Sequence, residues 1–175
     1  MLNRDPLGSH QSCLPQIPNT VKKSIEGLST LPIKMLTIHT SGGRLMMESA
    51  MEAIKGTDIK VFGVTALTSL SDTDTNQIYQ RTAADQVNAM LDIAEEAKID
   101  GVVCSPHELE LVTARGSLLS ITPGIRLSDS SDDQSRVMTP KQAIELGANY
   151  LVIGRPITSA IDISEALNTI YQSIN

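Results

Sequence analysis

Five short apolar runs, each followed by a stretch of helical character, constrain this chain more than any other feature. They are MLTIH (residues 35–39), KVFGVTAL (60–67), GVVC (101–104), LLSIT (118–122) and YLVI (150–153). None is a clean apolar–polar alternation, so each is expected to be covered on both faces. That is the mark of parallel strands in a sheet flanked by helices. The intervening helices are expected at residues 20–28, with Asn19 or Thr20 as N-cap, and at 44–54, 82–97, about 107–112, 139–146 and 164–174. Along 82–97, Val87, Met90, Leu91 and Ala94 form one stripe. The helix at 139 opens with Thr139-Pro140, a capping residue followed by proline in the favoured order.

Alternating strands and helices leave two architectures open, a doubly wound sheet and a (β/α)8 barrel. No G-x-G-x-x-G follows the first strand, which weakens the dinucleotide-binding version. Polar and glycine residues end the strands: Ser41-Gly42-Gly43, Thr68-Ser69, Ser105-Pro106, Pro123-Gly124 and Gly154-Arg155. A barrel builds its site at those ends. A full barrel has eight strands in about 250 residues. Five strands in 175 residues therefore predict an assembly about three βα units short.

Charge and composition narrow the partners. Fourteen Lys and Arg against 20 Asp and Glu give a net charge of −6, which disfavours a protein coating nucleic acid. The aromatic residues are Phe62, Tyr79, Tyr150 and Tyr171, too few for base-stacking platforms, so the core must be aliphatic. Cys13 and Cys104 make neither a disulfide framework nor a metal cluster. No apolar run suits a signal peptide or a membrane span, and a cytoplasmic protein is expected. Residues 1–16, MLNRDPLGSHQSCLPQ, are interrupted by Pro6, Gly8 and Pro15 and read as an irregular leader, distinct from 17–175.

Two strand ends carry the chemistry. In Val152-Ile153-Gly154-Arg155-Pro156 a glycine lets backbone N–H groups approach an anion, and the arginine offers a two-pronged donor to phosphate. Thr122-Pro123-Gly124-Ile125-Arg126 brings a second arginine to the same end of the sheet. Between them lies a polar stretch, LSDSSDDQSR (127–136), able to fold over an anion with Gln134 as a neutral donor. Its bland alternative is a solvated acidic loop, since Asp129, Asp132 and Asp133 would repel phosphate. Two arginines on consecutive strand ends favour the phosphate reading, because barrels place phosphate after their last two strands. His39 is expected to hydrogen-bond locally, and Cys104 to be core.

Seven stretches in a fixed order carry a family resemblance: IPNT (17–20), HTSGG (39–43), VTALTS (64–69), DGVVCS (100–105), TPGIR (122–126), DQSRVMTP (133–140) and YLVIGRP (150–156). The chain resembles orotidine 5′-phosphate decarboxylase over roughly nine tenths of its length. The resemblance implies a partial (β/α)8 TIM barrel, its five parallel βα units corresponding to family strands 4 to 8. It implies conversion of orotidine 5′-monophosphate to UMP and carbon dioxide, in de novo pyrimidine synthesis, without cofactor or metal. It also implies a homodimer, with sites near the subunit interface, and no nucleic-acid or membrane partner.

Carried over residue by residue, Arg155 and the Gly154 backbone would hold the 5′-phosphate. Arg126, Gln134 and Pro123 match substrate-binding positions, Gln134 on a closing loop. Thr68, with Ser69 beside it, would lie near the pyrimidine. Ile17 and Thr20 belong to the segment that helps complete the partner's site.

The family's chemistry resides in Asp-x-Lys-x-x-Asp, running directly into IPNT. The lysine ammonium protonates C6 of the pyrimidine as carbon dioxide leaves, and the aspartates orient it in a dry, closed site. In this chain the register places Gln11 and Gln16 at the aspartates and Cys13 at the lysine. A cysteine cannot be proton donor and counter-charge together, and Pro15 disfavours a strand there. The family's earlier aspartate and lysine, on its first two strands, find no counterpart. The expectation is thus the C-terminal five units behind an unrelated leader, inactive alone, with the phosphate end kept and the chemical end lost. The alternative is a non-catalytic remnant that binds a nucleotide monophosphate or phosphate. A related phosphate-binding barrel lyase or synthase is disfavoured by the IPNT, TPGIR and IGRP stretches. An open sheet is expected, exposed at the 35–39 strand and prone to self-association.

Overall fold

The computed structural model describes residues 17–67, 69–127 and 137–174. Its centre is one sheet of parallel strands in sequential order. The strands are β1 (Met35–His39), β2 (Lys60–Val64), β3 (Gly101–Val103), β4 (Leu119–Thr122) and β5 (Tyr150–Leu151). The helices are α1 (Pro18–Leu28), α2 (Arg44–Ala53), α3 (Asp72–Tyr79), α4 (Ala83–Glu96), α5 (Leu109–Thr113), α6 (Pro140–Glu145), α7 (Arg155–Thr158) and α8 (Ile163–Ser173). All five expected strands form, though the second and fifth stop two to three residues early.

Local chemistry explains most helix starts. Thr82 caps α4 by accepting from the Asp85 N–H, and Thr139 with Gln142 forms a reciprocal capping box on α6, with Pro140 at its start. α1 differs from expectation. It begins at Pro18 with Ile17 as N-cap, so Asn19 and Thr20 lie inside the helix, because proline's fixed φ suits a first turn. α3 and α7 were not expected as helices. α3 is polar but carries a capping box, Ser71 with Asp74.

Alternation and register give the sheet two unlike faces. Ile38, Gly63, Val102 and Ser120 are in register on one face, and all are buried. A side chain at Gly63 would strike Thr40 and Ile99 and touch Met47 of α2, so this face is the one the helices cover. The other face carries Met35, Thr37 and His39 on β1, Phe62 and Val64 on β2, Gly101 and Val103 on β3, Leu119 and Ile121 on β4, and Tyr150 on β5.

That second face is concave. Strands β2 and β5 stand three positions apart, about 14 Å in a flat sheet. Yet the rings of Phe62 and Tyr150 meet edge to face with centroids 5.9 Å apart. Only a strongly curled sheet turns them toward each other. Gly101, on the strand between, clears the way: a Cβ there would run into the Phe62 ring and the Leu119 carbonyl. Sequential strand order without reversal, helices outside and a curled interior make this an arc of a (β/α)8 barrel. A doubly wound sheet would reverse its strand order and carry helices on both faces.

Candidate functional site

The C-terminal strand ends form the rim of the concave face, and side-chain hydrogen bonds pin them together. The Thr40 hydroxyl donates to the Val64 carbonyl at 2.8 Å, and the Thr65 hydroxyl donates to the Val103 carbonyl at 2.9 Å. Each ties the end of one strand to the end of the next, so the rim is a fixed frame.

At the β5 end, Gly154 is the N-cap of α7 and Arg155 is its first residue. The Gly154 carbonyl accepts from the N–H groups of Ile157 and Thr158 at 2.9 and 3.0 Å. A Cβ at Gly154 would meet nothing within 4 Å, so the backbone there borders open space. The Arg155 side chain is exposed.

At the β4 end, Pro123 is half-buried and Gly124 has φ +80°, a left-handed conformation that glycine adopts without steric cost. The turn redirects the chain so that Ile125 bridges Met138 in parallel. The Arg126 N–H donates to the Met138 carbonyl at 3.0 Å, and the Met138 N–H donates to the Gly124 carbonyl at 3.3 Å. Residues 124–126 and Met138 are thereby clamped together. Arg126 is only 8% exposed, and its guanidinium donates to the Ile125 carbonyl at 3.0 Å. A guanidinium held this deep in the clamp differs in kind from the exposed Arg155.

Other expected residues are more scattered. Ser69 sits exposed in a turn. Ile17 is 61% exposed, and its carbonyl receives the Thr20 and Val21 N–H groups. Thr20 is half-buried on α1, which packs on α2 at the β1 end of the arc, away from β5. Thr68 and Gln134, and also Gln11, Cys13 and Gln16, lie outside the described residues.

Cys104 behaves as core. It is fully buried, and burial, with the negative charge of Glu108 nearby, pushes its thiol up to about 12. Glu108 itself is buried for a structural reason, accepting the Ser105 N–H at 3.0 Å in a capping box. His39 departs from expectation: its imidazole has no hydrogen-bond partner among the described residues, and the side chain is exposed on the concave side. Strand alternation points it into the mouth, where the expected local hydrogen bond is not made.

The remaining concave cation is Lys60. It begins β2, at the opposite end from the rim, 3.7 Å from Asp100. Four residues of strand, about 13 Å, separate it from Val64, so it cannot serve as a proton donor at the rim. No cluster of three or more His, Cys, Asp or Glu suited to a metal exists among the described residues. No described helix is long and apolar enough to cross a membrane. The rim can therefore hold an anion at β4–β5, and none of the five described strands ends in a lysine there.

Residues 17–170 match the family model described as "Orotidine 5′-phosphate decarboxylase / HUMPS family". The chain is 46% identical over 165 residues to orotidine 5′-phosphate decarboxylase of Ehrlichia canis, covering 93% of this chain and 72% of that protein. The Ehrlichia chaffeensis protein of the same name is 45% identical over 166 residues, with the same coverages. Among solved structures, orotidine 5′-phosphate decarboxylase from Lactobacillus acidophilus superposes with a TM-score of 0.77 at 35% identity, over 91% of this chain and 71% of that one.

Proposed function

Given that the chain belongs to the orotidine 5′-phosphate decarboxylase / HUMPS family, we propose that it holds the 5′-phosphate of orotidine 5′-monophosphate or UMP at the β4–β5 rim but does not decarboxylate by itself. The family is one of carboxy-lyases, and conversion of orotidine 5′-monophosphate to UMP and carbon dioxide is the activity its relatives are named for. The observation that carries the phosphate reading is Gly154–Arg155. An exposed guanidinium stands beside a glycine backbone bordering open space, at the strand end where a barrel keeps phosphate.

In this reading Arg155 makes the two-pronged contact and Gly154 admits the phosphate oxygens to the backbone. Arg126 stiffens the clamped turn with Pro123 and supports the grip, and Gln134 closes over the phosphate from the loop between. Thr68 and Ser69 flank the pyrimidine, and Ile17 and Thr20 serve the site of a second subunit in a homodimer. The protein acts in pyrimidine nucleotide synthesis in the cytoplasm, with no nucleic-acid or membrane partner.

The proposed inactivity rests on chemistry. The pyrimidine carbanion left by carbon dioxide needs a charged proton donor held beside C6. At the family's lysine position this chain has Cys13, between Gln11 and Gln16. A neutral thiol neither stabilises the developing negative charge nor replaces the lost ammonium. In this reading residues 1–16 are a leader separate from the barrel unit at 17–175.

Calorimetric titration with UMP tests the grip. Saturable binding is expected, weakened about 10- to 100-fold by Arg155→Ala, in line with loss of a charge-assisted pair of hydrogen bonds. Equal affinity of the parent and Arg155→Ala proteins would refute it.

A further inference from the structure

We propose that His39 contacts the sugar or base of a nucleotide whose phosphate is held at Arg155, so that the mouth selects nucleoside monophosphates over free phosphate. The inference rests on the phosphate site argued above and adds the ligand's other end.

Three observations carry it. His39 is the last residue of β1 and lies on the concave face, in register with Val64 of β2. Its imidazole is exposed and has no hydrogen-bond partner among the described residues, so both ring nitrogens are available. The backbone beneath it is nevertheless held: the next residue, Thr40, is fully buried and its hydroxyl donates to the Val64 carbonyl at 2.8 Å. The imidazole is thus a ready polar group on a rigid mount.

Curvature supplies the geometry. β1 and β5 are the two ends of the sheet order, and on a flat sheet their rims would be about 19 Å apart. The contact between Phe62 and Tyr150 shows that the concave face curls strongly between β2 and β5. The β1 rim therefore faces the β5 rim across the mouth. A ligand anchored by its phosphate at Gly154–Arg155 can extend its other end into that mouth. A nucleoside presents hydroxyl and carbonyl groups there, and imidazole, donor on one nitrogen and acceptor on the other, pairs with either. Lys60, the other described cation on this face, sits at the far end of its strand.

The experiment follows the imidazole signals of His10, His39 and His107 by 1H–13C NMR at one fixed pH, during titration with inorganic phosphate and separately with UMP. His39→Gln assigns its own signal. UMP should shift the His39 resonance in a saturable way, and inorganic phosphate at equal occupancy should leave it in place. His39→Ala should weaken UMP about 5- to 10-fold and leave phosphate affinity unchanged, with His39→Gln, which keeps a donor and an acceptor, lying between the two. An unmoved His39 signal on UMP binding, or equal loss of UMP and phosphate affinity in His39→Ala, overturns the inference while the phosphate site stands. If neither ligand binds, the phosphate site fails and this inference with it. Circular dichroism of each variant establishes that fold is retained, which the exposure of His39 favours.

Discussion

The two faces of the same five strands are built to different standards. On the convex side Val61 and Val102 are fully buried, packed with Met47 of α2 and Leu91 and Ala94 of α4. On the concave side, at the same strands or their neighbours, Met35 is 40% exposed and His39 is open to solvent. Val152, just past β5, is 50% exposed. Only the middle of the concave face, around Phe62, Gly101 and Ile121, is sealed. The two faces divide the work. Stability comes from the sheet–helix layer, and the concave face is left open at its rim.

Truncating one apolar side chain on each face should separate the two most clearly. Leu91→Ala on α4 removes a fully buried side chain and should cost about 2–5 kcal/mol, as cavity-forming core changes do. Met35→Ala on the concave edge should cost about 0.5 kcal/mol or less. Urea unfolding of both variants gives the ratio. Similar losses would mean that the concave face contributes to the core as fully as the convex one.

A smaller effect is expected at the point where the concave face does pack. Gly101→Ala drives a methyl into the Phe62 ring and the Leu119 carbonyl, the latter unable to yield without moving β4. A destabilisation of about 1–3 kcal/mol is expected, typical of overpacking. The near-ultraviolet signal of Tyr150 should change with it. An unperturbed Tyr150 would mean that the sheet is less curled than described.

The smallest effect concerns a polar tie on the convex side. The Ser117 hydroxyl and the Arg115 guanidinium hydrogen-bond Glu95 on α4 and hold its carboxyl below the usual value of 4.5. A carboxylate depressed in the folded state contributes stability above its unfolded pKa, and that stability is lost as pH falls through the folded pKa. Glu95→Gln should therefore flatten the loss of stability seen as pH drops below about 4.5 and change little at neutral pH. Salt should shrink the difference, because the side chain is partly exposed. Identical acid profiles for both proteins would show that this tie contributes nothing.

Much of the arc was legible in the sequence, because apolar runs bounded by Gly, Pro and Ser fix strands regardless of what surrounds them. α3 was passed over because DTDTNQIY has almost no apolar stripe, although Ser71 and Asp74 three residues apart were a capping signal in plain view. α7 hid in GRP, where the proline after Arg155 suits the first turn of a helix. What no local pattern could reveal was the curl. The meeting of Phe62 with Tyr150, and the need for glycine at 101, arise only when register and curvature are combined across distant segments. The same gap explains His39, assigned to local hydrogen bonding when its side chain was considered without the face it occupies. Arg126 and Arg155 looked equivalent as strand-end arginines, and burial separates them.

The proposed function has this chain keep the phosphate end of a decarboxylase site without its proton donor. The most direct test is the ultraviolet assay for loss of orotidine 5′-monophosphate, run on the folded, UMP-binding protein purified from a host without its own decarboxylase. No turnover above buffer is expected. Decarboxylation that coelutes with the 175-residue chain would contradict it and require another group to stand where the lysine ammonium was expected.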